Sequence, residues 1–203
     1  MQESAVPTDG RAARAARTRD AIVEATVALV EEGDVRPTAP RIAERAGVSV
    51  RSVFQHFDDL PALHTAVVQR VVERLAVLVV PADPARPLAD RIDAFAHNRA
   101  VLLEAVTPFR RAAAVHSPFA PELRDAVAQG SAFLRQEVEA AFAPEIEEAA
   151  PGDRRRLVDT LAAATSWGVW DGLRADAGDT PEQARVVLSR LLTAVLAGPN
   201  APG

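Results

Sequence analysis

The residues best equipped for recognition chemistry stand close together: Arg51 and Gln55, four apart, with Ser52 and His56 beside them. A guanidinium can bond the O6 and N7 of guanine together, and a carboxamide can do the same with adenine. The pair is therefore equipped to read base edges in a major groove. The neighbouring hydroxyl and imidazole suit phosphate oxygens. A lone Arg or Gln on a helix surface is ordinarily just solvated, so what positions the pair decides its meaning. Catalytic chemistry has no comparable set. There is no Gly-rich phosphate loop, no His-Glu-x-x-His and no Gly-x-Ser-x-Gly, and the four His are scattered at 56, 64, 97 and 116. The chain has no cysteine, which removes zinc ribbons, thiol nucleophiles and redox pairs. No catalytic residue, metal site or cofactor is expected, and the chain is not expected to be an enzyme.

The element that must hold Arg51 and Gln55 is legible around them. From Ile42 to Phe57 the spacing predicts a short helix, a turn at Gly47 and a second short helix capped by Ser49. Ala43 and Ala46 are small where two helices must approach, and Gly47 can adopt the positive φ a sharp turn needs. Val48 and Val53 would anchor the second helix inward, leaving Val50, Arg51, Ser52 and Gln55 outward near its N-terminal end, as helix-turn-helix readers require. A first helix is expected over 18–32, with Ile22, Ala25 and Leu29 on one face and Gly33 as its stop. Thr38 should cap the second helix, with Pro40 tolerable in its first turn. Asp59 opens a fourth helix striped by Leu63, Val67, Val71, Leu75 and Leu78 and stopped by Pro81.

Helical periodicity continues to the C-terminus and no stretch alternates as a sheet would, so the fold class is all-α with about nine helices. Three prolines between Pro81 and Pro87 mark a hinge. Further helices are expected near 88–106, 109–115, 118–143, 153–177 and 181–197, with Pro108, Pro118, Pro144, Pro151 and Gly178 as punctuation. The acids Glu145, Glu147 and Glu148 read as solvated loop. Thr180-Pro181-Glu182-Gln183 has the form of a capping box. The organisation is then a helix-turn-helix domain at 11–59, a connecting helix at 60–80 and a C-terminal domain at 81–203.

With 203 residues, 48% hydrophobic, the chain can bury a full core without staples. Its longest aliphatic run, Leu75 to Val80, is far below a membrane span, and the start lacks an apolar signal region; the expectation is a cytoplasmic protein. A net charge of −5 argues against a nucleic-acid partner until its distribution is read. Residues 10–57 carry eight Arg against six acids, a balance of +2, and the remainder is acidic. Every basic side chain is Arg.

The block from Thr18 to Val68 resembles the DNA-binding region of TetR-family repressors. The resemblance rests on a first helix ending Glu-Glu-Gly33, on Thr38, on Ile42-Ala-Glu-Arg-Ala-Gly-Val-Ser49, on an aromatic at 54, on His56-Phe57 and on Ala62-Leu63. It implies phosphate contacts from Thr38, Ser52, the aromatic at 54 and His56, and base reading from positions 50, 51 and 55. With Arg41 these make the expected DNA-binding set: Thr38, Arg41, Val50, Arg51, Ser52, Phe54, Gln55 and His56. The Ala- and Arg-rich arm at 11–17 could add grip or be a solubilising tail. The sequence departs from the family pattern at Phe54, where Tyr is usual, at Leu60, where Lys is common, and at Asp34, where an aromatic follows the glycine. These predict modest, salt-sensitive binding.

The resemblance further implies a homodimer on double-stranded operator DNA, released by a small-molecule effector. Ser166-Trp-Gly-Val-Trp-Asp-Gly-Leu-Arg174 and the helix after Thr180 are similar to the closing helix pair of such regulators, so Leu173, Leu188, Leu191, Leu192 and Val195 are the expected interface. An apolar or amphipathic effector would sit among Phe95, Asn98, Phe109, His116, Phe133, Trp167 and Trp170, with Phe119 as a further wall and His97 as a polar handle. The rival reading is a ligand-binding or protein-interaction dimer whose helix-turn-helix has weakened.

Overall fold

A computed structural model describes residues 8–116 and 120–197, and the expected Pro118 and Phe119 lie outside the described residues. The elements are α1 (Thr8–Glu31), α2 (Ala39–Ala46), α3 (Val50–His56), α4 (Leu60–Ala76), α5 (Leu88–His116), α6 (Pro121–Ala141), α7 (Ala143–Glu148), α8 (Arg154–Ala164) and α9 (Trp167–Asp171). A π-helical turn over Gly172–Asp176 and α10 (Pro181–Leu196) complete them. There is no strand among the described residues, and the fold is all-α as the periodicity indicated. None of its helices is long and apolar enough to cross a membrane.

Four boundaries differ from expectation, each for a local reason. The arm at 11–17 is part of α1, because Ala and Arg are strong helix formers and nothing before Gly33 interrupts them. Helix α5 runs through Pro108, which removes one backbone bond at a cost of about 3 kcal/mol. Leu102, Leu103 and Thr107 are buried just before it, and their packing holds the helix together. The expected helix at 153–177 breaks at Ser166, whose backbone turns extended while its hydroxyl accepts from the Val169 amide and starts α9. The acidic loop is helix α7, and its Glu145 is an ion-pair partner rather than solvated surface.

The chain forms two compact units. One comprises the described residues up to Arg74 together with Pro108–Asp125; the other comprises Leu75–Thr107 and the residues from Ala126 onward. Helix α5 is thus divided at its own proline. The first unit closes around Ile22, Val27, Ile42, Val53 and Leu63, all essentially inaccessible. Such side chains contribute roughly 1.5–3 kcal/mol each when fully buried. Arg70 and Arg74 of α4 reach Glu24 of α1, with Asp20 and Glu31 as secondary partners, which ties the long helix to the first.

The second unit packs Phe95, Leu103, Phe142, Leu161, Trp170, Leu188 and Leu192 into one cluster. Phe95 meets Phe142 edge-on, with centroids 5.2 Å apart. Helix α10 begins as expected: Thr180 accepts from the Gln183 amide at 3.2 Å and Gln183 accepts from the Thr180 amide at 2.7 Å. Two arginines stand inside this unit. Arg91 donates Nε to Arg86 O, Nη1 to Ala141 O and Glu145, and Nη2 to Glu145. Arg99, two turns along α5, uses only Nη2, toward Leu134 O at 2.9 Å and Glu137 at 3.4 Å.

Candidate nucleic-acid interface

The geometry of the recognition element is fixed at both ends by backbone bonds. Helix α2 stops at Gly47, φ +68°, where the Gly47 amide returns to Glu44 O and the Val48 amide to Ala43 O, the pair of bonds that define a Schellman stop. Gly33 ends α1 in the same way, through Gly33 to Val30 and Asp34 to Leu29. Ser49 Oγ then accepts from the Ser52 amide at 3.1 Å and opens α3. Val53 and Phe57 go into the core and hold the helix against α1 and α2. Arg19 lies over the Phe57 ring, 4.8 Å from its centroid.

With that face pinned, the opposite one is presented to solvent. Val50, Arg51, Phe54 and Gln55 are exposed, while Ser52 and His56 are partly covered on its flanks. Arg51 is exposed and carries no ion pair among the described residues, so its donors face solvent. Thr38 occupies the N-cap position of α2, yet its hydroxyl makes no capping bond and stays exposed.

Arg41 and Arg45 differ. Arg41 Nη1 lies 2.6 Å from Asp34 Oδ2, and Arg45 makes a two-pronged pair with Glu32 at 2.9 and 2.5 Å. Asp34, the departure after Gly33, thus pairs with a cation of the expected DNA-binding set. Phe54 is 50% exposed and Leu60 37%, so the apolar substitutions lie on the surface and have no packing role to explain them.

The other expected sites are redistributed. Leu188 and Leu192 are fully buried within the chain, because α10 turns its 184, 188 and 192 stripe inward against α8. They have no surface for a partner, which corrects their assignment to an interface. Leu191, Val195 and Leu173 are half-buried.

Of the expected pocket, Trp170 is core, its indole N–H bonded to Glu104 at 2.9 Å, and Trp167 donates to Thr107 Oγ1 at 3.2 Å. Phe95 is core as well, and Phe133 is exposed on α6. Phe109 and His116 belong to the first unit. There the His116 ring meets that of His64 at a tilt of 49°, centroids 5.0 Å apart, and bonds Val35 O at 3.0 Å. Asn98 lines a narrow cleft of about 10 Å³ with Leu78, Val79, Val80, Phe95, Arg99, Leu102 and Glu137. No group of three or more metal-ligating side chains occurs among the described residues.

Sequence reasoning missed Arg91, Arg99 and the His64–His116 pair. The arginines fall in phase with the apolar stripe of Ile92, Phe95, Ala96 and Leu103, and that phase was the available signal.

A capped, Gly-turned helix pair with an outward polar edge defines the class as a helix-turn-helix DNA-binding domain. Residues 22–67 match the family model described as bacterial regulatory proteins, tetR family. The match spans the helix-turn-helix region, which is thus similar to the DNA-binding domain of that family. The chain's fold is shared with solved transcriptional regulators. One from Rhodococcus sp. Rha1 is 18% identical, with 91% of this chain and 96% of that one covered and a TM-score of 0.65. A TetR family regulator from Pseudomonas syringae pv. tomato is 22% identical over 89% and 95%, with a TM-score of 0.59. The multidrug binding protein EbrR, complexed with imidazole, is 23% identical over 85% and 93%, with a TM-score of 0.56. No curated protein matches the chain.

Proposed function

We propose that the protein is a cytoplasmic transcriptional repressor. It binds a palindromic operator as a homodimer and leaves it when a small apolar or amphipathic effector occupies its C-terminal unit. The observation that carries this reading is the outward edge of α3, where Arg51, exposed and without an ion pair among the described residues, and an exposed Gln55 stand on a helix held by Val53, Phe57, Ser49 and Gly47. Arg51 would take guanine and Gln55 adenine, with Thr38, Ser52 and His56 on phosphates. A two-fold dimer would place two such helices one DNA turn apart, about 34–36 Å. Leu191, Val195 and Leu173 are half-buried and remain the residues proposed to meet the partner. Effector binding would favour a dimer geometry with the wrong spacing between recognition helices.

Gel shift with the DNA upstream of the protein's own gene tests this. The expected result is a salt-sensitive shift that Arg51→Ala weakens by roughly 5- to 100-fold, the range of one lost bidentate base contact. Absence of any shift at low salt overturns the reading.

A second reading has specific support: Asp34 and Glu32 neutralise Arg41 and Arg45, and Phe54 and Leu60 expose apolar surface where cations or hydroxyls would serve DNA. On that reading the domain meets a protein. An unchanged mobility with DNA at low salt supports it.

A further inference from the structure

Arg99 and Arg91 occupy the same helix and are equally withdrawn from solvent, yet they are satisfied to different degrees. Arg91 has acceptors for Nε and both terminal nitrogens, including a two-pronged pair with Glu145. Arg99 leaves Nη1 buried with no acceptor among the described residues. Its side chain is only 1% exposed, and Glu137 meets the other terminal nitrogen at 3.4 Å. Phe95 lies beneath the guanidinium at 4.7 Å. Buried donors in folded proteins are ordinarily paired, so an orphan beside a cleft indicates an acceptor supplied from outside.

The cleft that Arg99 lines has the chemistry of an amphipathic guest. Leu78, Val79, Val80, Phe95 and Leu102 offer apolar wall, and Asn98 and Arg99 offer donors. At about 10 Å³ it is the size of a single water. The wall formed by residues 78–80 lies beyond the end of α4, held by turn-type bonds from Leu78 to Leu75 and from Val79 to Ala76. Val77 before the segment and Val80 at its end are largely exposed. Displacing this segment breaks no helix. Burial pushes Arg99 down to about 10, which leaves it cationic at neutral pH, and burial also pushes the Glu137 carboxyl up.

We propose that Arg99 anchors the carboxylate of an amphipathic monocarboxylic acid, whose apolar part replaces the 78–80 segment against Phe95 and Leu102. This names the ligand class for the effector reading above and rests on it. The carboxylate accepts from Nη1 while Glu137 keeps Nη2, a charge-assisted bond in a cleft shielded from water. A neutral analogue leaves the donor unpaired.

The test is thermal unfolding of the full chain with sodium decanoate, decanol or sodium acetate. Decanoate is expected to raise the midpoint, and decanol and acetate to do so far less. Arg99→Met is expected to weaken decanoate roughly ten- to hundredfold. Because Arg99 also bonds Leu134 O, a second variant, Leu102→Phe, crowds the α5 wall that stays in place while keeping the guanidinium, and it too should lose the decanoate effect. Equal stabilisation by decanol, a decanoate effect that survives Arg99→Met or Leu102→Phe, or no decanoate effect at all overturns the assignment. None of these readouts needs DNA. A chain that responds to decanoate through Arg99 but shifts no DNA keeps this site and loses the regulator reading.

Discussion

His64 illustrates how one side chain can make the first unit sensitive to pH. Its Nδ1 is buried with no partner among the described residues, and its ring centroid lies 5.0 Å from that of His116. Burial first, and then the neighbouring His116, push its pKa below the ordinary 6.5, against a smaller upward pull from Asp59. A histidine whose folded pKa is depressed binds fewer protons than the unfolded chain between that pKa and 6.5. Stability is therefore complete above pH 6.5 and falls as the pH drops through that window, by at most about 1.4 kcal/mol per pH unit. Melting temperatures measured from pH 8 down to pH 5 should decline more steeply for the native chain than for His64→Gln, which cannot take up the proton. An identical decline in both would show that other groups carry the effect. The pair itself was not legible in the sequence. Residues 64 and 116 are far apart along the chain, and only tertiary packing brings them together, whereas Arg51 and Gln55 are neighbours on one helix whose phase Val53 reveals.

At the scale of elements, the helix-turn-helix owes its shape to short-range signals, and these were readable. Gly33, Gly47, Ser49 and Thr180 each end or begin a helix where the sequence placed them, because caps are made by residues within a few positions of one another. Gly47 allows a direct measurement of one such signal. No atom lies within 4 Å of where its Cβ would be, so a substitution there meets no steric obstacle and tests backbone conformation alone. Gly47→Ala must hold φ near +68° at a cost of about 1–2 kcal/mol, and Gly47→Asn should cost less because asparagine tolerates the left-handed region. Chemical denaturation should rank the native chain first, Asn second and Ala last; an Ala variant as stable as the native chain would contradict the stated role of the turn. Longer-range choices were opaque. Pro108 reads as a stop, yet α5 continues, with Leu102, Leu103 and Thr107 buried just before it. On α10 the 188/192 and 191/195 stripes look equally apolar, and only contact with the rest of the second unit decides which one becomes core.

For the molecule as a whole, the question is how a chain of net charge −5 approaches DNA. Residues 10–57 have a balance of only +2, and several arginines in and beside that stretch are spent internally: Arg41 on Asp34, Arg45 on Glu32, Arg70 and Arg74 on Glu24. Besides Arg51 on α3, Arg14 and Arg17 at the start of α1 are exposed, carry no ion pair among the described residues and lie a helical turn apart. Each phosphate neutralised by an arginine releases counterions and adds about −0.9 to the slope of log affinity against log salt. If both side chains engage in each protomer of a dimer, four phosphates give a slope of roughly −4. Filter binding across a salt series should find that value for the native chain, and the double substitution Arg14→Ala, Arg17→Ala should flatten it toward zero while leaving the operator preference intact. A slope unchanged by the double substitution would place the phosphate contacts elsewhere. A flat slope in the native chain would mean that its binding owes little to charge, as the internal pairing of its arginines permits.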